Sequence, residues 1–234
     1  MSDVERFAAG IEAQHRRLDA SAYEDIYVVG DVHGCRDAAD RLLARLAPQQ
    51  DDLVVFVGDL VRRGPDSPGV VDLVRSHPNA TSIRGNNEQK IIDGRRPPEG
   101  LDGEDIRWLR SLPAVLSWAD TVVVHGGIDP SRPRGDHTLA DLQNMESVAP
   151  DGDGSPYWWE RYGGPDRVCF GHKVLEDPFV GEHAVGLDTG CVYGGQLTAY
   201  DYRSGELAAV EPPETYVSRS ADSIVEPRLA DPTH

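Results

Sequence analysis

Five times along this chain a short apolar run meets a glycine and a side chain able to bind a metal ion. The first is Ile26-Tyr-Val-Val-Gly-Asp31-Val-His33-Gly34. Leu53-Val-Val-Phe-Val57 runs into Gly58-Asp59, and Ala80-Thr-Ser-Ile-Arg84 into Gly85-Asn86. Thr121-Val-Val-Val124 runs into His125-Gly126, and Arg167-Val-Cys-Phe170 into Gly171-His172. β-Branched and aromatic runs of this length read as strands. Residues i and i+2 leave an extended strand on one side, so Asp31 and His33 can share a site. In open α/β sheets, ligands gather beyond the carboxyl ends of strands. Taken singly, each Asp reads as readily as a helix cap and each His as a loop histidine. Five such ends together predict a metal site. Two Asp, one Asn and three His form a nitrogen/oxygen donor set without sulfur, suited to Mn, Fe or Zn.

The intervening sequence predicts what holds these ends. Leu53–Val57 is apolar throughout, which predicts a sheet covered on both faces. Helices are expected over 37–46, with Pro48 as a stop, and over 70–75. Residues 102–118 read as helical material interrupted by Pro113. Residues 197–202 and 206–210 read as a closing hairpin. Asp129 to Asp166 is Pro/Gly-rich, with an expected helix near 138–146, and reads as an excursion over the site mouth. Within it Tyr157, Trp158 and Trp159 are expected to pack beneath a loop, with stacking on a nucleobase as the other role. Residues 1–25 read as an appended helical extension with Phe7, Ile11 and Leu18 as a thin stripe. Residues 26–210 form the main domain, and 211–234 a loosely packed tail.

Charge narrows the partners. Forty acidic against 23 basic residues give a net charge of −17, which opposes any broad nucleic-acid or anionic-membrane surface. A small anionic substrate remains compatible, provided bound metal and a few arginines make the site locally positive. Three cysteines without C-x-x-C spacing argue against a disulfide framework. With no signal peptide and no long apolar run, the expected location is cytoplasmic.

Read in order, Gly-Asp-Val-His-Gly, Gly-Asp-Leu-Val-X-Arg-Gly-Pro, Arg-Gly-Asn-X-Glu, His-Gly-Gly and Gly-His resemble the calcineurin-like metallophosphoesterases. The resemblance is to the branch containing Ser/Thr protein phosphatases and symmetrical diadenosine-tetraphosphate hydrolases. Leu187-Asp-Thr-Gly-Cys-Val-Tyr-Gly-Gly195-Gln-Leu-Thr is similar to the hydrolase side of that branch. The resemblance implies a four-layer α/β/β/α sandwich with two mixed β-sheets. It implies two divalent metal ions, manganese foremost, with iron, zinc or magnesium as the others. Asp31 and His33 would hold the first ion, Asp59 would bridge, and Asn86, His125 and His172 would hold the second. A metal-bridging hydroxide would be the nucleophile. Arg63 matches the arginine that grips phosphate oxygens, and Asp188 lies at a position near the metals where it would orient a ligand or water.

Two departures stand out against that pattern. The family places a histidine where this chain has Asn87 and, to hold it, an aspartate where this chain has Arg62. That pair is the general acid for a leaving alkoxide. An amide transfers no proton, and an arginine does not polarise an imidazole toward protonation. The expectation is a phosphohydrolase favouring acidic leaving groups: nucleotide phosphoanhydrides, diesters or aryl phosphates. A Ser/Thr-type protein phosphatase and a metal-binding pseudoenzyme that recognises a phosphorylated ligand are the other two readings. Asn87 belongs with Arg63 and Asp188 among the expected reaction-site residues. Arg62, Arg63, Arg84 and Asn87 are the expected substrate contacts, Arg84 being equally open to a structural role. Lys173 is expected to be surface charge. The partner is a small phosphorylated substrate, possibly a nucleotide, or a phosphoprotein.

Overall fold

A computed structural model describes residues 6–149 and 154–227. Two mixed sheets stack face to face. The first is five-stranded, from β2 (Ile26–Val29), β3 (Leu53–Phe56), β4 (Ala80–Ser82), β10 (Leu197–Asp201) and β11 (Leu207–Val210), in the order β11-β10-β2-β3-β4. β2, β3 and β4 run parallel, with Val28 opposite Val55 and Val55 opposite Thr81. The hairpin β10–β11 joins β2 antiparallel. The second is six-stranded, from β1 (His15–Arg17), β5 (Val115–Trp118), β6 (Thr121–Val123), β7 (Arg167–Phe170), β8 (Phe179–Val180) and β9 (Ala184–Gly186), in the order β1-β5-β6-β7-β9-β8.

Burial explains the layering. Alternate residues of β2 and β3, Ile26, Val28, Leu53 and Val55, face Leu116, Trp118, Val123, Cys169 and Val185 of the other sheet in a shared apolar core. The opposite faces of the same strands (Val29, Val54, Phe56) pack on α2 (Arg36–Leu46) and α3 (Ser67–Ser76) through Leu42, Val70 and Val74. α4 (Asn86–Ile92) and α5 (Gly103–Ser111) extend that layer through Ile91 and Leu109. This is why the strands carry apolar side chains at every position rather than at every second one. On the far side, α1 (Ala9–Glu12), α6 (Leu139–Asn144) and the Trp158–Tyr162 segment cover the six-stranded sheet. The α/β/β/α order expected from the resemblance is present, its fourth layer built largely from loop.

Three expectations are corrected. The N-terminal segment is no separate helical extension. Its helix lasts four residues, and His15–Arg17 then pairs parallel with β5 as the edge strand of the six-stranded sheet. Phe7 and Ile11 are buried in the core. Second, helical material ends before Pro113, and 115–118 is a strand antiparallel to β6. Third, the tail is packed through residue 227. Tyr216 and Val217 donate backbone hydrogen bonds to Val192 O (3.2 and 3.0 Å), and Val225 donates to Val174 O (2.9 Å). Residues 228–234 of the expected tail lie outside the described residues. No helix among the described residues is long and apolar enough to cross a membrane.

Candidate metal centre

The carboxyl ends of β2, β3, β4, β6 and β7 all point to one edge of the sandwich, and their loops bring the expected donors together. Each loop turns at once because its glycine leaves room. A Cβ on Gly171 would collide with Asp31 Oδ1, and one on Gly85 with Asp59 Oδ1, so these glycines are the space the carboxylates occupy. The turns themselves are strained. His33, Asp59, Arg62, Arg63 and His172 all adopt positive φ, between 49° and 74°, a region that side-chain-bearing residues seldom enter.

Asp31, Asp59 and His125 each present a ligand atom within 4.8 Å of the others, all three buried. His33 Nε2 lies 3.6 Å from Asp59 Oδ2 and 3.9 Å from Asp31 Oδ2, while His125 Nε2 lies 3.4 Å from Asp59 Oδ1. The two oxygens of Asp59 thus face two different histidines. The tautomers follow from the second nitrogens. His33 Nδ1 meets Val61 O at 3.2 Å and His125 Nδ1 meets Val57 O at 2.9 Å. A carbonyl only accepts, so Nδ1 carries the proton in both, and Nε2 is turned to the carboxylates. His172 packs edge-on to His125 at 5.1 Å, its Nδ1 3.1 Å from the Asn86 amide nitrogen. Its backbone N–H donates to Asp31. All six expected donors are therefore gathered at one edge.

Burial sets the electrostatics. It pushes the Asp31 carboxyl well above its usual range, with the Asp188 charge adding to the effect. Burial likewise raises Asp188 to about 6 and, helped by the Asp59 charge, Glu88 to about 7. Burial lowers His33 to about 4. At His125 and Asp59 burial opposes ionisation, but their mutual attraction prevails, raising His125 to about 10 and lowering Asp59. Asp188 Oδ2 and His125 Nε2 find no hydrogen-bond partner among the described residues. Several buried carboxylates, orphaned donor atoms and no Lys or Arg bonded to them are what a bound cation would resolve. The residues fit a divalent metal.

Around this cluster sit residues that sequence reasoning placed incompletely. Glu88, quoted only as part of a motif, accepts from the backbone N–H groups of Asp59, Val61 and Gly85 at 2.8–3.2 Å and so fixes the Asp59 loop. Glu146 was missed. It reaches from beyond α6 to His172 Nε2 (3.3 Å) and to Lys173 Nζ (2.6 Å), and its hydrogen bond to His172 holds its own carboxyl down to about 2. Lys173 is consequently an inward ion-pair partner rather than free surface charge. The only sequence signal for Glu146 was an acid within the Pro/Gly-rich excursion.

The arginines divide. Arg62 donates through Nη1 to Asn87 Oδ1 (2.5 Å) and pairs with Glu99 (3.3 Å). The Asn87 amide nitrogen is fully engaged, donating to Asp59 Oδ2 and to Asn86 Oδ1. Arg63 is exposed, its guanidinium over the Tyr193 ring at 5.5 Å. Arg84, which sequence reasoning placed at the substrate as one of two options, is buried and donates to Gln14 Oε1 of the N-terminal segment. Its structural option is the one the contacts favour. Trp158 is fully buried with Nε1 donating to Gly126 O (3.0 Å), and Tyr157 stacks on Trp159 at 4.6 Å. The aromatic group packs rather than presenting an open platform.

Comparison with known proteins agrees with this geometry. Serine/threonine-protein phosphatase 1 of Salmonella typhimurium is 30% identical over 80% of this chain and 96% of its own length. The asymmetrical bis(5'-nucleosyl)-tetraphosphatase PrpE of Anoxybacillus flavithermus is 29% identical over 82% of this chain and 96% of its length. A crystal structure of a candidate diadenosine tetraphosphatase, 29% identical, superposes with a TM-score of 0.76 over 84% of this chain and 97% of that one. Residues 25–201 match the family described as calcineurin-like phosphoesterase. With the donor set, the two-sheet fold and these relatives in agreement, the chain belongs to the calcineurin-like phosphoesterases.

Proposed function

We propose that this chain is a two-metal phosphohydrolase, most plainly manganese-dependent and cytoplasmic, that acts on substrates whose leaving group needs no protonation. The observation that carries this reading is Asn87. Its nitrogen is spent on Asp59 and Asn86 and its oxygen on Arg62, so no exchangeable acid stands there. A positioned acid contributes about 10²–10⁴ in rate. Its loss costs most with an alkoxide and least with a nucleotide phosphate or a phenolate.

In this reading Asp31, His33 and one oxygen of Asp59 would hold one cation. The other oxygen of Asp59, with Asn86, His125 and His172, would hold the second. Bound cations would polarise phosphate oxygens and acidify a water. The chain's own residues do the rest. Val61 and Val57 carbonyls hold the His33 and His125 tautomers, and Glu146 orients His172. Arg63, free of any hydrogen bond or ion pair among the described residues, grips the phosphate by its fork of N–H donors. Asp188, buried beside Asp31, holds or accepts a proton near the reacting oxygen.

Relatives named as nucleosyl tetraphosphatases and as a protein phosphatase leave both substrate classes open. The Arg62–Asn87 pair favours the former. The test is steady-state hydrolysis by manganese-loaded protein of diadenosine tetraphosphate, bis-p-nitrophenyl phosphate, p-nitrophenyl phosphate and a phosphoserine peptide. Higher kcat/KM on the anhydride and aryl esters supports the reading. Preference for phosphoserine overturns it, and silence on all four with metal bound leaves the pseudoenzyme.

A further inference from the structure

The segment after β11 crosses between two loops of the metal centre. At one end Tyr216 and Val217 are hydrogen-bonded to Val192, in the loop that follows Asp188. At the other, Val225 accepts from Glu176 N (2.8 Å) and donates to Val174 O, in the loop that follows His172. Those two loops are themselves tied by Leu175 N to Asp188 O (2.8 Å). Between its anchors the strap carries Arg219, half-buried, with its guanidinium 4.8 Å from the centre of the Tyr193 ring. That is the same ring over which Arg63 lies at 5.5 Å. Two guanidinium groups from segments some 150 residues apart in sequence therefore converge on one side chain at the edge of the site.

Neither charge is neutralised. Arg63 has no hydrogen bond or ion pair among the described residues, and Arg219 donates only to the carbonyl of Ser223 (3.2 and 3.4 Å). In a chain with 40 acidic residues against 23 basic ones, carboxylate partners are the common fate of an arginine. Arg36, Arg41, Arg75, Arg132 and Arg134 all have one. Two like charges held near one another and left open, with donor forks matched to phosphate oxygens, make a place for an anion of more than one charge. Tyr193 is the spacer that keeps both guanidiniums in place by cation–π contact.

We propose that Arg219, with Arg63 and Tyr193, forms a subsite for the phosphates beyond the one being cleaved. The ligand class is a linear polyphosphate chain, free or esterified to nucleosides. The inference rests on the phosphohydrolase reading for its catalytic meaning. Arg63 would span the two functions, touching the scissile phosphate on one side and the subsite on the other.

The test uses the full chain loaded with manganese and the variants Arg219→Gln and Arg219→Lys. Calorimetric titration with inorganic tripolyphosphate and with orthophosphate reads binding alone. Steady-state kinetics on diadenosine tetraphosphate and p-nitrophenyl phosphate reads catalysis. The wild type should bind tripolyphosphate more tightly than orthophosphate. Arg219→Gln should shrink that preference about tenfold and raise KM for the tetraphosphate about tenfold more than KM for the aryl ester, with Arg219→Lys recovering part of both. Equal losses on both anions and both substrates, or a wild type that does not prefer tripolyphosphate, overturn the subsite. If binding responds as expected while no substrate is turned over, the subsite stands and the hydrolase reading falls. If the tetraphosphate is hydrolysed well and Arg219→Gln changes nothing selectively, the reverse holds.

Discussion

Arg62 and Arg63 are neighbours, share a backbone φ of 74°, and end in opposite electrostatic circumstances. Arg62 turns inward, where Glu99 balances its charge and Asn87 Oδ1 accepts its proton. Arg63 turns to Tyr193 and stays open. The first corner is closed chemistry: every polar atom has a partner, so it orders the Asp59 loop and offers nothing to a substrate. The second is an unfinished site, complete only when an anion arrives. One dipeptide thus separates a structural use of arginine from a functional one, and the separator is what each side chain meets across the fold.

Both corners hang on Asp59, so the largest effect is expected there. Asp59→Asn should remove activity on every substrate by at least about four orders of magnitude, roughly 5.5 kcal/mol of barrier. It should also lower the manganese content of the purified protein, as measured by elemental analysis. Retained activity would show that the cluster is not the reaction centre. Next, converting the closed corner into an acid by Arg62→Asp together with Asn87→His should raise turnover of an alkyl phosphate monoester about a hundredfold or more. Asn87→His alone, with Arg62 still facing it, should give little of that gain. Equal rates for wild type and double variant would remove the explanation of substrate preference.

Glu146→Gln takes the carboxylate away from His172 and should weaken manganese binding about 10–100-fold in a metal titration, with the fold unchanged by circular dichroism. The smallest effects separate the arginines directly. Arg62→Ala strands the buried Asn87 oxygen and should cost about 1–3 kcal/mol in urea unfolding. Arg63→Ala should change stability by less than about 0.5 kcal/mol while weakening phosphate inhibition. If the two variants lost equal stability, the contrast between the corners would fail.

The donors were readable because each is local: a strand, a glycine and a ligand occupy a handful of consecutive residues, and the pattern recurs. The helices α2 and α3 and the hairpin were readable for the same reason. What lay out of reach is held by contacts between distant segments. His15–Arg17 is polar and reads as helix surface, yet it is an edge strand, a place where charged side chains are common and burial does not announce the strand. Arg84 could only be assigned once Gln14 was seen beside it, and Glu146 once His172 was. The tail looked disordered by composition, but two apolar residues, Tyr216 and Val217, and a few backbone hydrogen bonds are enough to tie it down.

The five left-handed side-chain-bearing residues at the centre have a consequence for how the protein moves. Each such turn costs of order 1–2 kcal/mol relative to relaxed backbone, and the buried carboxylates add repulsion at the same place, while the strands behind them are fully packed. Stability is thereby graded, lowest at the loop tips and highest a few residues back along the same strands. Amide hydrogen exchange on chelated protein should therefore open the segments around His33, Asp59–Arg63 and His172 well before Val28, Val55 or Cys169. Adding metal should slow the first group selectively, so that occupancy of the centre could be followed by the exchange rate of its loops.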